Sequence, residues 1–410
     1  MANAYQTTLD SPAQTKRESF LSVAKFGRER ANYFASSPLN RLSFLRDNHE
    51  FLTGAFDHAS TNFICFRGLA PLHNARGEIH YVTRDTISPI ITSNPFETTE
   101  EEMVQSFNSS IVAPQLVFLG IDQRNTAGYC FRNFIGAPYF ALDLTPKHTY
   151  EVAASNLARD LEAQGLSFAE GRPMHYDAES AAIFAQARHY LDWNARNTFC
   201  GTCGQKTLST HGGAKRVCPP TDRAESTSAR AACSTRTTIS NLSFPRTDPT
   251  VIVAVLSFDG QRVLLGHQKR WPSRRFSALA GFIEPAESAE DAARREVWEE
   301  TGVVLSRVVI FSTQPWPLPA NLMVGVIGQA RSPEDEIIKL DIDPELEAAE
   351  WFRLAEVGEA LRAQTEAEGS PSVHDLGGCG LTLPPPTAIA HHLLGAVVDE
   401  YFQIDAATWG

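Results

Sequence analysis

The stretch over residues 281–303, GFIEPAESAEDAARREVWEETGV, restricts this chain more than any other. Ser288 is an N-cap candidate, with Asp291 three residues on as its capping partner. Gly302 stands where a left-handed C-terminal residue is wanted. Between these caps Glu296, Glu299 and Glu300 are spaced i, i+3 and i+4, so one helix face carries three carboxylates. Crowded like charges mildly destabilise a bare helix, which a bound divalent cation would relieve. Oxygen-only ligand sets of this kind suit Mg²⁺ or Mn²⁺. Three glutamates alone, however, are also what a solvated acidic face looks like.

The surrounding positions are specified too. Gly281, Glu287, Arg295, Glu296, Val297, Glu299, Glu300, Gly302 and Val303 fit G-x5-E-x7-R-E-U-x-E-E-x-G-U, where U is a bulky aliphatic residue. This resembles a complete Nudix box, the signature of hydrolases that cleave a nucleoside diphosphate linked to another group. The resemblance implies a loop–helix–loop whose metal ions bridge the diphosphate and orient or activate the attacking water.

A chain of 410 residues has room for two or three domains with separate cores. Its net charge of −12 argues against a surface built to wrap duplex nucleic acid. No apolar run approaches the ~20 residues of a membrane span. The N-terminus lacks a basic region followed by an apolar core, so no secretory signal is expected. Seven cysteines that include a CxxC pair read as thiols and a metal site rather than a disulfide framework. The terminal TWG is not an SKL-type peroxisomal address.

Residues 1–36 read as a polar, partly helical extension, and residues 37–195 as an α+β domain. Strands are expected over 62–72, 79–87, 113–122 and 139–145, between Pro, Gly and Asn breakers. The acidic TTEEE at 98–102 is a loop or helix start, and the amphipathic run over 178–197 a helix. Cys65, Cys130, His175 and His189 read here as core or surface side chains. No chemistry is legible in this domain.

Residues 196–246 read as a zinc ribbon. Cys200 and Cys203 form a CxxCG knuckle, whose glycines let backbone amides turn towards thiolates. Cys218 follows after a Gly-rich turn, and Cys233 after the polar insertion PPTDRAESTSARAA. The ribbon lacks a second CxxC, so Cys233 is the expected fourth ligand and His211 the alternative. A redox CxxC is the weaker reading, because no βαβ context surrounds it.

Residues 247–405 read as the box-bearing domain. Apolar β-rich runs flank Asp259-Gly260, a hairpin signal. VVIFSTQ, NLMVGVIGQA and AAEWFRL read as further strands, and residues 386–402 as a closing amphipathic helix. The expected fold class is α/β: a C-terminal α/β/α sandwich preceded by a zinc ribbon and an N-terminal α+β domain.

Here the resemblance narrows. TQPWPLPAN over 313–321 is similar to the SQPWPFPxS motif of the NADH pyrophosphatase branch. With the ribbon, FPRTDP and LPPPTAIA, the likeness covers roughly 200–402, and the N-terminal domain resembles that branch's front domain. It implies metal binding by the Ala280 carbonyl, Glu296, Glu300 and Glu345. It implies substrate binding by Gln314, Pro315, Trp316, Pro317, Leu318, Pro319, Ala320, Asn321 and Ala390, with Phe282 placed to stack on a base or nicotinamide ring. Thr313, Leu318 and Asn321 replace the motif's Ser, Phe and Ser, which bears on fine substrate preference. Glu299 is a candidate base or a further ligand.

The expectation is therefore a diphosphatase that splits NADH or NAD⁺ into NMN(H) and AMP, using catalytic Mg²⁺ or Mn²⁺ and structural Zn²⁺. Removal of NAD caps from RNA is the enzymatic alternative. A catalytically silent NAD or ADP-ribose sensor is the other, against which the full set of box glutamates counts. The resemblance suggests a homodimer without a membrane partner. It permits a cytoplasmic or peroxisomal location, for which the terminal TWG gives no support.

Overall fold

Structure is described, as a computed structural model, for residues 30–168, 174–225, 229–238, 244–367 and 380–408. The extension expected over 1–36 lies outside these residues except for 30–36. Contacts divide the chain into residues 1–17 with 36–246, and residues 18–35 with 247–410.

In the first unit the order is α1 (His49–Asp57), β1 (Asn62–Arg67), β2 (Ala70–His73), β3 (Tyr81–Val82), α2 (Arg84–Ile87), α3 (Glu100–Gln105), β4 (Leu116–Asp122), β5 (Tyr129–Phe131) and β6 (Phe134–Asp143). Then come α4 (Glu151–Ala163), β7 (Ser167–Phe168), α5 (Ala178–Arg196) and the ribbon strands β8 (Leu208–Thr210) and β9 (Lys215–Val217). One sheet runs β4-β6-β1-β2-β7, with β3 paired to β1 and β5 to β6. Its centre is aromatic. Phe51, Phe56, Phe63, Phe118 and Phe140 are fully buried, and Phe140 meets Phe56, Phe63 and Phe118 with ring centroids 5.3 to 5.8 Å apart. Such pairs add about 0.5–1.5 kcal/mol each beyond area burial.

The strand expected over 79–87 is shorter than its pattern suggested. Tyr81–Val82 pairs with β1, Ile79 makes a single bridge to His73, and Arg84–Ile87 closes one helical turn. Ile79, Val82 and Ile87 are buried, at spacings of three and five that a period of two cannot put on one face, so the segment turns instead of alternating. At 98–102, Thr99 and Glu102 exchange a complete capping box and start α3.

The second unit contains β10 (Asp248–Leu256), β11 (Arg262–His267), β12 (Leu279–Phe282), α6 (Ala289–Thr301), β13 (Leu305–Trp316), β14 (Asn321–Ala330), β15 (Ala348–Arg353), α7 (Leu354–Ala367) and α8 (Ile389–Thr408). Its sheet runs β13-β14-β10-β11-β15, with β12 paired to β10. One apolar cluster joins the sheet to α6 through Val251, Leu264, Ala293 and Val297. Another joins the opposite face to α7 and α8 through Ile252, Leu265, Leu361 and Leu393. The domain is a three-layer α/β/α sandwich. β10 and β11 are joined by residues 257–261. Gly260 takes φ 70° there, and the Asp259 carboxylate accepts from the Gln261 amide.

The two sheets share one plan. β4, β6, β1, β2 and β7 occupy the places of β13, β14, β10, β11 and β15, and β3 the place of β12. In each, a single parallel pair, β1 with β6 or β10 with β14, sits among antiparallel neighbours. The difference lies between the third and fourth strands in chain order. There the second unit carries the 13-residue α6, whereas the first has only the short α2 and α3.

Candidate active site

Helix α6 forms as its caps require. The Ser288 hydroxyl accepts from the Asp291 amide, and Gly302 ends the helix at φ 71°. Ala292, Ala293, Val297, Glu300 and Thr301 are its buried positions. Glu300 therefore lies on the core-facing side and only 6% exposed. Burial, followed by the charges of Glu296, Glu345 and Asp343, pushes its carboxyl up to about 8, against a hydrogen bond from the Ala280 backbone. Glu296 is raised in the same sense, chiefly by burial.

β12 brings the backbone to these acids. A Cβ at Gly281 would come within 1.9 to 2.2 Å of the Glu296 carboxylate, so only glycine lets strand and glutamate meet this closely. Arg295 holds the acidic loop. Its guanidinium donates to Glu287 in two contacts of 2.8 and 2.9 Å, to Glu296 at 2.8 Å, to Glu299 at 2.9 Å and to the Phe282 carbonyl at 2.8 Å. Arg295 is held above, and Glu287 below, its ordinary range, chiefly by their mutual hydrogen bonding. Glu345 lies exposed in the loop before β15 and its charge acts on both Glu296 and Glu300. Asp343, two residues earlier, acts on Glu300 and was not singled out in the sequence. The acidic run DIDPELE over 341–347 was its only signal. A buried carboxylate ringed by anions, with the nearby arginine already committed, is a hard-oxygen donor set short of positive charge.

The expected substrate residues divide. Phe282 is 59% exposed at the end of β12. Residues 314–321 run from one strand through a turn into the next. Gln314, Pro315 and Trp316 end β13, residues 317–320 turn, and Asn321 opens β14. An edge strand tolerates these prolines. Pro317 is buried; Leu318 and Ala320 are half-buried, and Pro319 is exposed. Asn321 donates to the Thr250 hydroxyl at 2.9 Å. Gln314 and Ala390 are buried, 0% and 2% exposed. The Gln314 amide donates to the carbonyls of Tyr33 and Thr387 and accepts from the Ile389 amide, all at 2.8 to 3.0 Å. It thereby ties residues 30–35 and the start of α8 to β13. Residues 30–35 belong to this unit, with Asn32 donating to the Thr313 carbonyl at 2.7 Å and Phe34 edge-on to Trp316 at 5.8 Å. Nothing in the polar text of 1–36 signalled that attachment.

Among the described residues, the four ribbon cysteines are the one His, Cys, Asp or Glu group whose ligand atoms all lie within 4.8 Å of one another. Cys200 and Cys233 have sulfurs 3.7 Å apart, and Cys203 and Cys218 3.5 Å. A tetrahedron with Zn–S near ~2.3 Å has edges of about 3.8 Å, so the set fits zinc, whereas a disulfide would need ~2.05 Å. His211 is engaged elsewhere, 2.9 Å from the Glu100 carboxylate. Arg236 lies 3.6 Å from the Cys218 sulfur and the Thr235 hydroxyl 3.0 Å from that of Cys233. Both offset thiolate charge.

The NUDIX domain family matches residues 246–376, the NADH pyrophosphatase zinc ribbon domain 195–225, and the NADH pyrophosphatase-like rudimentary NUDIX domain 60–193. The last match agrees with the repeated sheet plan. The chain is similar to the "NAD-capped RNA hydrolase" of Schizosaccharomyces pombe, 34% identical over 374 residues that cover 89% of this chain and 92% of the relative. It is 32% identical to "NAD-capped RNA hydrolase NPY1" of Saccharomyces cerevisiae over 90% of this chain and 96% of the relative. It is 34% identical to mitochondrial "NAD(P)H pyrophosphatase NUDT13" of Mus musculus over 62% and 66%. No described helix is long and apolar enough to cross a membrane. A complete box on α6, a ribbon of four clustered cysteines and a degenerate first copy of the fold occur together here, and the chain belongs to the Nudix hydrolases, in their zinc-ribbon-bearing NADH pyrophosphatase branch.

Proposed function

We propose that the chain is a diphosphatase acting on NADH or NAD⁺, with Glu296, Glu300 and Glu345 as its metal-holding carboxylates. The observation that carries this reading is the Glu300 carboxyl, buried beside β12 and pushed up to about 8 with Glu296, Glu345 and Asp343 acting on it. Such a group is costly to keep in a fold unless a cation joins it. Mg²⁺ or Mn²⁺, when bound, would neutralise charge on the diphosphate and lower the pKa of the attacking water. The protein's residues do the rest. Arg295 fixes Glu296 and Glu299 in place, and the Ala280 amide holds Glu300. Glu299, held by Arg295, is the candidate to take the proton of the attacking water or to serve as a further metal ligand. Water's oxygen bonds to one phosphorus, the bridging P–O bond breaks, and AMP and NMN(H) leave. Phe282 offers its exposed ring to the base or nicotinamide.

We place the working boundaries at 37–195 for the front domain, 196–246 for the ribbon and 247–405 for the hydrolase. Zn²⁺ on Cys200, Cys203, Cys218 and Cys233 is structural, and the assembly is a homodimer. Cleavage of the same bond in NAD-capped RNA is the second activity, favoured by relatives of that name along some nine-tenths of this chain. The test is product analysis with NADH, ADP-ribose, a diadenosine polyphosphate and NAD-capped RNA side by side, with and without Mn²⁺. Metal-dependent release of AMP from NADH is expected. Cleavage of the diadenosine compound alone would contradict the reading.

A further inference from the structure

Against a net charge of −12, residues 269–275 read KRWPSRR, four cations around one tryptophan. They form the loop between β11 and β12. Lys269, Arg270 and Arg274 are exposed, and none of the four cations pairs with a carboxylate among the described residues. Arg270 donates only to Gln268, at 2.9 Å, and Arg275 lies over the Trp271 ring at 5.8 Å. Beside the loop is a cavity of about 460 Å³ whose lining includes His267, Trp271, Arg274, Phe276, Glu350 and Phe352. Its size is within the ~300–1,000 Å³ of small-molecule sites.

The position of this loop gives the charge a purpose. Phe276 and Ala278 join the same apolar cluster as Ile252. Strand alternation then puts Ala280 and Phe282 on that face too, opposite Ile252 and Thr250. The cavity and the exposed Phe282 ring thus share one face of one strand. Six residues of extended chain separate Phe276 from Phe282, roughly 20 Å at ~3.3 Å per residue. That is a span that a few stacked nucleotides cover.

We infer that the loop over 269–275 and its cavity bind the RNA body of a NAD-capped transcript whose cap diphosphate lies at Glu296 and Glu300. The inference rests on the diphosphatase reading above. Lys269, Arg270 and Arg274 meet successive phosphates, the sequence-independent part of nucleic-acid binding. Trp271 offers a ring to an unstacked base, the usual way single strands are held. Glu350, in the cavity wall, accepts from a base amino group. A free dinucleotide ends before this surface, so the loop separates capped RNA from NADH without touching the chemistry.

The test uses the full chain loaded with its metal, NADH, and a short 5′ NAD-capped RNA. In the variant Lys269→Gln/Arg270→Gln/Arg274→Gln, kcat/KM for the RNA should fall at least about tenfold. Its dependence on log salt should flatten by about 2, three contacts at ~0.7 each for a single strand. Trp271→Ala should cost the RNA about fivefold or more. With NADH both variants should stay within about twofold of wild type. Unchanged RNA kinetics, or equal losses on both substrates, would overturn the inference. A wild type that cleaves NADH but not capped RNA overturns it while sparing the diphosphatase reading; a wild type that cleaves neither overturns both.

Discussion

At the scale of single residues the site is a charge problem. Glu300 sits on the buried face of α6, and Arg295 is shared by Glu287, Glu296 and Glu299. Glu300→Gln keeps shape and removes one anion, so kcat should fall at least ~10²-fold, the scale of one lost electrostatic stabiliser. Thermal stability of the metal-free protein should be unchanged or higher, since a buried carboxylate among like charges opposes folding. Gly281→Ala tests the close approach of β12. Its Cβ would displace the Glu296 carboxylate, and a shift of ~1 Å in a catalytic group costs about 10²-fold. Steady-state rates of this variant close to wild type, with circular dichroism unchanged, would mean that Glu296 tolerates displacement. The acid trio was legible because i, i+3, i+4 spacing fixes a shared face. Asp343 was not, because its effect on Glu300 depends on how a loop before β15 folds back.

At the scale of elements, Gln314 is the clearest departure from expectation. Sequence resemblance put it among substrate contacts, but its amide is spent joining Tyr33, Thr387 and Ile389. Nothing in TQPWPLPAN marks which side chains turn inward, since inward and outward alternate along β13 and depend on register. Gln314→Leu leaves one buried and two partly buried backbone groups without this partner, so stability should fall by about 1–3 kcal/mol. The melting temperature should drop while KM for NADH changes little. A raised KM with an unchanged melting temperature would show that the side chain reaches substrate after all. Strands β10, β11, β14 and β15 and helices α5, α6 and α8 were readable because their apolar periods are long. The helices α4 and α7 were missed, and the strand over 79–87 was overextended, because its β-rich composition hides the odd spacing of its buried residues Ile79, Val82 and Ile87.

At the scale of the molecule, two units repeat one sheet plan, and only the second keeps a helix that carries acids. That repeat is invisible in the text, because a sheet plan is set by long-range pairing while the matching strands share no motif. The ribbon was readable in part: CxxC announces a knuckle, but Cys233 comes after a polar insertion and beyond the 195–225 match. Its sulfur nevertheless lies with the other three. Cys233→Ser should therefore lower bound zinc, by metal analysis, from about one per chain, and loosen the ribbon to proteolysis, because a small loop-rich unit takes folding energy from its metal. Undiminished zinc in that variant would remove Cys233 from the ligand set. The central claim, that carboxylates on α6 drive cleavage of a dinucleotide diphosphate, has a direct measurement: products from NADH incubated with wild type or Glu300→Gln, in Mg²⁺ or Mn²⁺ and in chelator. Equal amounts of AMP and NMNH are expected from the wild type with metal, none with chelator, and at least a ~10²-fold slower release from the variant. Intact NADH after wild-type incubation with metal, or a variant keeping more than half the rate, would contradict it.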